Sequence, residues 1–148
     1  MSSNRFPKSQ RLSRKKLWEA VFENGTRLKA YPLALYVLQA PLPGAVPVQA
    51  GFAVPKRNFR KAVQRNRVKR LMREAYRLER QAYFNTLERP FALVFLYLGK
   101  DIPDFGQVTT AMKAVLKKFE TYEATSQIKA DHSAPGPDRL PDGHGIQE

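Results

Sequence analysis

Cysteine is absent from this 148-residue chain, and it has only two histidines, His132 and His144. Without cysteine there is no disulfide and no thiolate metal site. Both histidines lie in a polar C-terminal stretch, and no other ligands are spaced for a zinc or histidine-based catalytic site. The chain also lacks an apolar run of about 18 residues, the length of a membrane span, and its N-terminus lacks the apolar core of a secretory signal. These absences favour a cytoplasmic protein with no metal site and no catalytic residues of its own.

Acidic residues are scarce beside basic ones: 13 Asp and Glu against 26 Lys and Arg give a net charge of +13 at pH 7. Residues 121–148 carry a net charge of −3, so the first 120 residues carry +16, and residues 31–55 carry no charge at all. A charge of this size destabilises a small domain by self-repulsion and attracts anions. Nucleic acid is the common partner of such a domain.

The region from Lys56 to Arg80 holds much of this positive charge, with eleven Lys or Arg residues and two acidic ones. From Lys61 onward the apolar residues recur at helical spacing. They occupy an arc of about 120°, made of Val68, Leu71, Met72, Ala75, Leu78 and Ala82. A second arc of about 140° holds Arg65, Asn66, Lys69, Arg70, Arg73, Arg77 and Arg80. One face of this helix can therefore pack on a core, while the other presents positive charge.

Like charges four residues apart on a helix repel each other by roughly 0.2–0.5 kcal/mol per pair, and the charged arc contains several such pairs. A polyanionic partner explains why this repulsion is tolerated. Two other interpretations are a solvated basic face without a partner and a helix on a membrane surface, although the apolar arc has the size of a core-packing one. The helix is predicted to end near Leu87, before Pro90.

Two further helices are predicted from the spacing of apolar residues. The first has Ser13 as its N-cap and ends at Asn24 and Gly25, with the glycine in the left-handed conformation. The last has Asp104 as its N-cap, with Gln107 reaching back to it. Its apolar stripe consists of Val108, Met112, Val115, Phe119 and Tyr122.

The apolar runs between the helices predict four strands. A short edge strand covers residues 26–30, and residues 33–38 form a strand that is buried on both faces. Residues 46–54 are predicted to pair with that strand, antiparallel through a hairpin, and Gly51 suggests either a bend or a close backbone approach. Residues 91–98 form a fully buried strand. This order of elements indicates an α+β fold with helices packed on a small sheet.

Three aromatic residues allow two interpretations. Trp18 and Phe22 form one i,i+4 pair on the first helix, beside the pair of Leu17 and Val21. They either widen the stripe that docks on the core or edge a groove in which bases stack, each stacked base contributing roughly 1–3 kcal/mol. Tyr36 either fills the core or faces the same groove.

The segment 61–77 resembles the signature of the bacterial ribonuclease P protein subunit. The core of that signature is Arg65, Asn66, Arg67, Arg70 and Arg73, with Lys69 in its usual place. Residues 51–57 resemble the family's strand into a basic loop, and Tyr36 matches the tyrosine of its central strand. The spacing of Leu12, Trp18, Phe22 and Gly25 resembles that of the family's first helix. At the position of Trp18 the family more commonly has phenylalanine. The resemblance covers about residues 10–122.

The resemblance implies a fold with a four-stranded mixed sheet, three helices and an unusual left-handed βαβ crossover, similar to the second domain of ribosomal protein S5. That crossover breaks the usual handedness rule and does not follow from the sequence pattern. The ribonuclease P domain is then residues 1–124. Residues 125–148 are rich in Pro, Gly, Asp and His, are predicted to be a disordered tail, and do not belong to the family pattern.

The resemblance also implies the activity: the protein is the non-catalytic subunit of an endoribonuclease whose RNA subunit, with its Mg²⁺ ions, removes the 5′ leader of precursor tRNA. It implies no protein partner. By the same resemblance, the residues expected to bind the single-stranded leader are Trp18, Phe22 and Tyr36. Those expected to bind the catalytic RNA are Lys56, Arg57, Arg60, Lys61, Arg65, Asn66, Arg67, Lys69, Arg70 and Arg73.

Three other classes of protein share some of these features. A ribosomal or other structural RNA-binding protein has the same charge but needs no aromatic leader cleft. A DNA-binding protein with the long helix in the major groove is disfavoured because one face of that helix is apolar. A protein-only nuclease needs clustered carboxylates for metal ions, which the sequence does not offer.

Overall fold

A computed structural model describes residues 10–42, 47–83 and 89–131, with side chains described as far as residue 125. The helices in these residues are α1 (Lys15–Asn24), α2 (Ala62–Glu79) and α3 (Phe105–Asp131), and a single 3₁₀ turn at Arg80–Ala82 follows α2. The strands are β1 (Thr26–Ala30), β2 (Leu33–Gln39), β3 (Val48–Ala53) and β4 (Phe91–Tyr97).

The four strands form one mixed sheet in the order β1-β2-β4-β3. β1 and β4 both pair antiparallel with β2, whereas β3 pairs parallel with β4. The predicted hairpin between β2 and β3 is therefore wrong, because β4 lies between them. β4 is apolar at every position, so burial of its side chains favours a place for this strand inside the sheet. β3 contains Gln49 and Gly51 and lies at an edge.

Helices cover both faces of the sheet, which explains the uninterrupted apolar runs of β2 and β4. On one face, Leu93 and Phe95 belong to the core formed with α2 and α3. On the other, Ala92 and Val94 belong to a smaller core formed with α1. The prediction of strands buried on both faces is confirmed. β3 and β4 are parallel and joined through α2, as the implied βαβ unit requires, and its left-handed crossover remains a prediction.

The core face of α2 is rotated from the predicted apolar arc. Val68, Met72, Ala75 and Tyr76 are buried, whereas Leu78 is 45% exposed and Ala82 is also exposed. Tyr76 replaces them because its ring packs 5.3 Å from that of Phe95 and 5.7 Å from that of Phe52. Burial raises the pKa of Tyr76 well above that of a solvated tyrosine.

The predicted ends of α1 and α2 both need correction. α1 has Arg14 rather than Ser13 as its N-cap residue. Gly25 is extended, with φ −77° and ψ 162°, and not left-handed. Glycine is needed there because a Cβ atom would lie 2.5 Å from the carbonyl oxygen of Val21 and 2.9 Å from that of Val37. α2 ends at Glu79, earlier than the predicted end near residue 87, and residues 84–88 lie outside the described residues.

α3 begins as predicted. The backbone N–H of Gln107 donates to Asp104 Oδ1 at 2.8 Å, and the N–H of Asp104 donates to Gln107 Oε1 at 3.0 Å. The predicted stripe is buried from Val108 to Phe119. The helix continues to Asp131, so residues 125–131 of the predicted tail are helical. Residues 132–148 lie outside the described residues. In the part of the chain that the structure describes, no helix is long and apolar enough to cross a membrane.

Candidate nucleic-acid interface

The solvent-facing side of α2 presents a dense group of cations. Arg67, Arg70 and Arg73 are exposed, and Lys69 is half-buried. Within residues 10–42, 47–83 and 89–125, none of these four forms an ion pair with an acidic side chain. Partial burial lowers the pKa of Arg73, and the nearby positive charges of Arg11 and Arg70 lower it further. An anion bound at this face would relieve their repulsion.

α2 contains two acidic residues, Glu74 and the terminal Glu79, and Glu74 pairs with Arg77. The two side chains form a salt bridge one turn apart. The hydrogen bond from Arg77 lowers the pKa of Glu74, so the carboxylate stays ionised. Because this carboxylate is held by Arg77, it does not neutralise the exposed arginines beside it.

The loop between β3 and α2, residues 56–61, carries four exposed cations. These are Lys56, Arg57, Arg60 and Lys61. The loop is anchored by Phe59, which is buried and lies 6.0 Å from the ring of Tyr97, measured between ring centroids. Asn66, in the first turns of α2, is exposed. Of the ten residues predicted to bind the catalytic RNA, eight are therefore exposed, whereas Arg65 and Lys69 are half-buried.

A short N-terminal segment adds a residue that the sequence did not suggest. Residues 10–12 run beside β3. The N–H of Leu12 donates to the carbonyl oxygen of Ala50 at 2.9 Å, and the backbones of Arg11 and Ala50 form an isolated parallel β-bridge. This places Arg11 close enough to Arg73 for the positive charge of Arg11 to lower the pKa of Arg73. Only the parallel pairing of this segment with β3 brings Arg11 there, and no local sequence signal indicates that pairing.

Arg80 does not belong to the exposed charged face, although the helical pattern predicts that it does. It is buried at 8% exposure, donates from Nη1 to Gln10 Oε1, and lies 5.8 Å from the centre of the Tyr76 ring. A buried arginine is tolerated where its donors are satisfied and its stem packs on apolar surface. Arg80 therefore fixes the N-terminal segment against α2.

Trp18, Phe22 and Tyr36 lie together on the face of the sheet opposite α2 and α3. The ring centroids of Phe22 and Tyr36 are 4.9 Å apart in an edge-to-face arrangement, and those of Trp18 and Phe22 are 6.2 Å apart. Tyr36 is buried at 3% exposure, whereas Trp18 and Phe22 are half-buried. The two helical aromatics thus pack on the smaller core and remain partly exposed, whereas Tyr36 fills that core, the first of the two interpretations that its sequence position allowed.

Trp18 also accounts for Gly51. The indole Nε1–H of Trp18 donates to the carbonyl oxygen of Leu12 at 2.8 Å, which holds the ring across β3. A Cβ atom at residue 51 would overlap Trp18 Cζ2 and lie 2.9 Å from its Cη2. Of the two alternatives predicted for Gly51, a bend or a close approach, the structure shows a close approach, made by the side chain of Trp18.

We expect Gly51→Ala to displace the indole of Trp18 and to destabilise the fold by roughly 1–3 kcal/mol, the usual cost of overpacking. Trp18 is the only tryptophan in the chain, so its fluorescence emission should shift to the red as it becomes more exposed. Gly106→Ala is the matched control, since a Cβ atom there meets only Asp104 Oδ1 at 3.4 Å. Unchanged emission and unfolding midpoint in Gly51→Ala would contradict the packing described.

Among the residues whose side chains are described, no group of three or more His, Cys, Asp or Glu residues is placed to hold a metal ion. No catalytic residues are predicted for this chain, and the described residues do not fit as ligands of a Mg²⁺ ion, which prefers carboxylate oxygens. The candidate site has two parts: the basic loop and helix on one side of the sheet, and the aromatic cluster on the other.

Sequence comparison assigns the chain to a family. The model of the family described as Ribonuclease P matches residues 6–120. The ribonuclease P protein component of Porphyromonas gingivalis is 34% identical over 125 residues, covering 82% of this chain and 91% of that protein. That of Chlorobaculum tepidum is 33% identical over 129 residues, covering 79% and 84%. The chain belongs to the ribonuclease P protein family, whose members act as partners of an RNA subunit.

Solved structures of this family share the fold. The RNase P protein of Staphylococcus aureus matches with a TM-score of 0.61 at 17% identity, covering 76% of this chain and 96% of that one. The RNase P protein of Thermotoga maritima matches with a TM-score of 0.59 at 22% identity, covering 73% and 96%. The mixed four-stranded sheet with three helices is thus the architecture of this family.

Proposed function

We propose that this protein binds the catalytic RNA of ribonuclease P through its basic loop and α2, and so assists removal of the 5′ leader from precursor tRNA in the cytoplasm. The observation that carries the proposal is the exposed row Arg67, Arg70 and Arg73, which has no acidic partner in the part of the chain that the structure describes. Guanidinium groups bind phosphate oxygens in a bidentate manner. Contacts to phosphate give affinity and orientation without reading a base sequence, as binding to a large folded RNA requires.

The aromatic cluster supports a second contact, with the single-stranded leader of the substrate. Bases of a single strand expose their faces, and half-buried aromatic rings such as those of Trp18 and Phe22 can stack on them. This cluster lies on the face of the sheet opposite α2, so one protein can hold the catalytic RNA and the leader at the same time. Chemistry is assigned to the RNA, with Mg²⁺ ions bound mainly by the RNA.

Reconstitution tests this function. Protein stripped of nucleic acid should not cleave precursor tRNA at any Mg²⁺ concentration, because no group of possible metal ligands lies among its described side chains. Combined with the catalytic RNA at low Mg²⁺, the same preparation should increase the cleavage rate above that of the RNA alone and yield the mature 5′ end. Cleavage that persists in the protein fraction after nuclease treatment would contradict the proposal, as would an RNA reaction that the protein does not change.

A further inference from the structure

Arg65 differs from the other arginines of α2 in the direction of its side chain. Its Nη1 group donates to two backbone carbonyl oxygens of the preceding loop, that of Phe59 at 2.8 Å and that of Arg60 at 2.9 Å. It is half-buried, whereas Arg67 and Arg70 are exposed. Part of its guanidinium is therefore committed to the loop and is unavailable to a phosphate.

Asn58 anchors the same loop from the opposite end. Its Nδ2 group donates to the carbonyl oxygen of Gly99 at 3.1 Å, just beyond β4. A Cβ atom at that position would lie 2.5 Å from the hydroxyl oxygen of Tyr97, so a larger residue there would displace the Tyr97 ring. Between the two anchors, Phe59 is buried at 4% exposure beside the ring of Tyr97. The loop is thus fixed at three consecutive residues, while its cations remain exposed.

We propose that Arg65 and Asn58 are positioning residues, which hold the loop so that Lys56, Arg57 and Arg60 meet the RNA phosphates in one preformed arrangement. This inference rests on the proposed function. A loop that is ordered before binding loses less conformational freedom when it binds, and the saving appears as affinity. The two residues then contribute to RNA affinity through the loop cations rather than through phosphate contacts of their own.

The first test compares substitutions of Arg65 and Arg70 in binding to the catalytic RNA across a salt series. Lysine keeps the charge but is one bond shorter than the arginine Nη1 position, so Arg65→Lys cannot restore both carbonyl contacts. We expect Arg65→Lys to bind almost as weakly as Arg65→Ala. We expect Arg70→Lys to recover most of the affinity and of the salt dependence that Arg70→Ala loses, because Arg70 is exposed and acts through its charge.

The second test asks whether Arg65 acts through the loop. Arg65→Ala is combined with a loop variant in which Lys56, Arg57 and Arg60 are replaced by alanine. A positioning residue should lose most of its effect in that background, with a coupling of roughly 2- to 150-fold, the range found for residues in contact. Asn58→Ala repeats the test without any change of charge, and it should weaken RNA binding in the wild-type loop but not in the alanine loop.

Thermal unfolding is measured for every variant, so that loss of the fold is separated from loss of the loop arrangement. If Arg65→Ala unfolds the protein, Arg65→Lys and Asn58→Ala still decide the question. The proposal is overturned if Arg65→Lys restores full affinity, or if the effects of Arg65→Ala and the alanine loop multiply independently. The proposed function would fail in a different way, because Arg70→Ala and the alanine loop would then both bind the RNA like the wild type.

Discussion

Replacing both Arg67 and Arg70 by alanine should weaken binding to the catalytic RNA by about 100-fold or more at low salt, since each charge-assisted contact contributes roughly 1.5–3 kcal/mol. The plot of log affinity against log salt concentration should also become flatter, by about 0.7–0.9 for each lost phosphate contact. Both side chains are exposed on α2 and neither contributes to the core, so the unfolding temperature should stay close to that of the wild type.

The control for this double variant removes the same charge from another helix. Lys113 and Lys117 are exposed on α3, and replacing both by alanine lowers the net charge by the same amount. We expect the affinity and salt slope of this control to stay near the wild-type values. Equal losses in the two double variants would mean that RNA responds to total charge alone, and the assignment of α2 as the binding surface would be wrong.

Phe22→Ala should reduce the affinity of the assembled enzyme for precursor tRNA with a multi-nucleotide leader by about 5- to 150-fold, the equivalent of one lost stacking interaction of roughly 1–3 kcal/mol. Affinity for mature tRNA without a leader should hardly change. Phe22 is half-buried and its ring centroid lies 4.9 Å from that of Tyr36. Removing the Phe22 ring will therefore also lower the stability of the fold.

Val21→Ala separates these two effects. Val21 is fully buried on the same helix, so its truncation destabilises α1 without removing an aromatic face. We expect it to lower the unfolding temperature and to leave the preference for leader-bearing substrate unchanged. If Phe22→Ala instead costs roughly 3–5 kcal/mol of stability, as a core phenylalanine does, and weakens both substrates equally, Phe22 is a core residue and not a leader contact.

Local sequence patterns predicted the elements well because those patterns have local causes. The buried runs of β2 and β4, the capping box of Asp104 and the stripe of α3 each depend on residues a few positions apart. The pairing of β3 with β4 could not be predicted in this way, because it joins segments separated by the whole of α2. The short connection between β2 and β3 favoured a hairpin. No local sequence pattern indicated that β4 would pair with β2 in place of β3.

The candidate site divides along the same line. The exposed arginines and the clustering of Trp18, Phe22 and Tyr36 followed from helical spacing and from the resemblance to the family. The inward turn of Arg65 and the burial of Arg80 did not, because a helical projection gives the direction of a side chain but not the carbonyls or amides it meets. Tyr76 was missed for a related reason, since aromatic packing with Phe52 and Phe95 selects a face that hydrophobic spacing alone does not.

The central position of β4 has a consequence for how this protein folds during its synthesis on the ribosome. Translation produces β2 and β3 before residues 91–97, yet both strands complete their pairing only with those residues. Until then, the growing chain carries two apolar strands with open edges, a state that invites aggregation. The strongly cationic stretch between β3 and β4 is synthesised during that interval, and we expect electrostatic repulsion between these stretches to oppose the association of neighbouring nascent chains. We therefore expect the charge that we propose binds RNA also to protect the unfinished sheet.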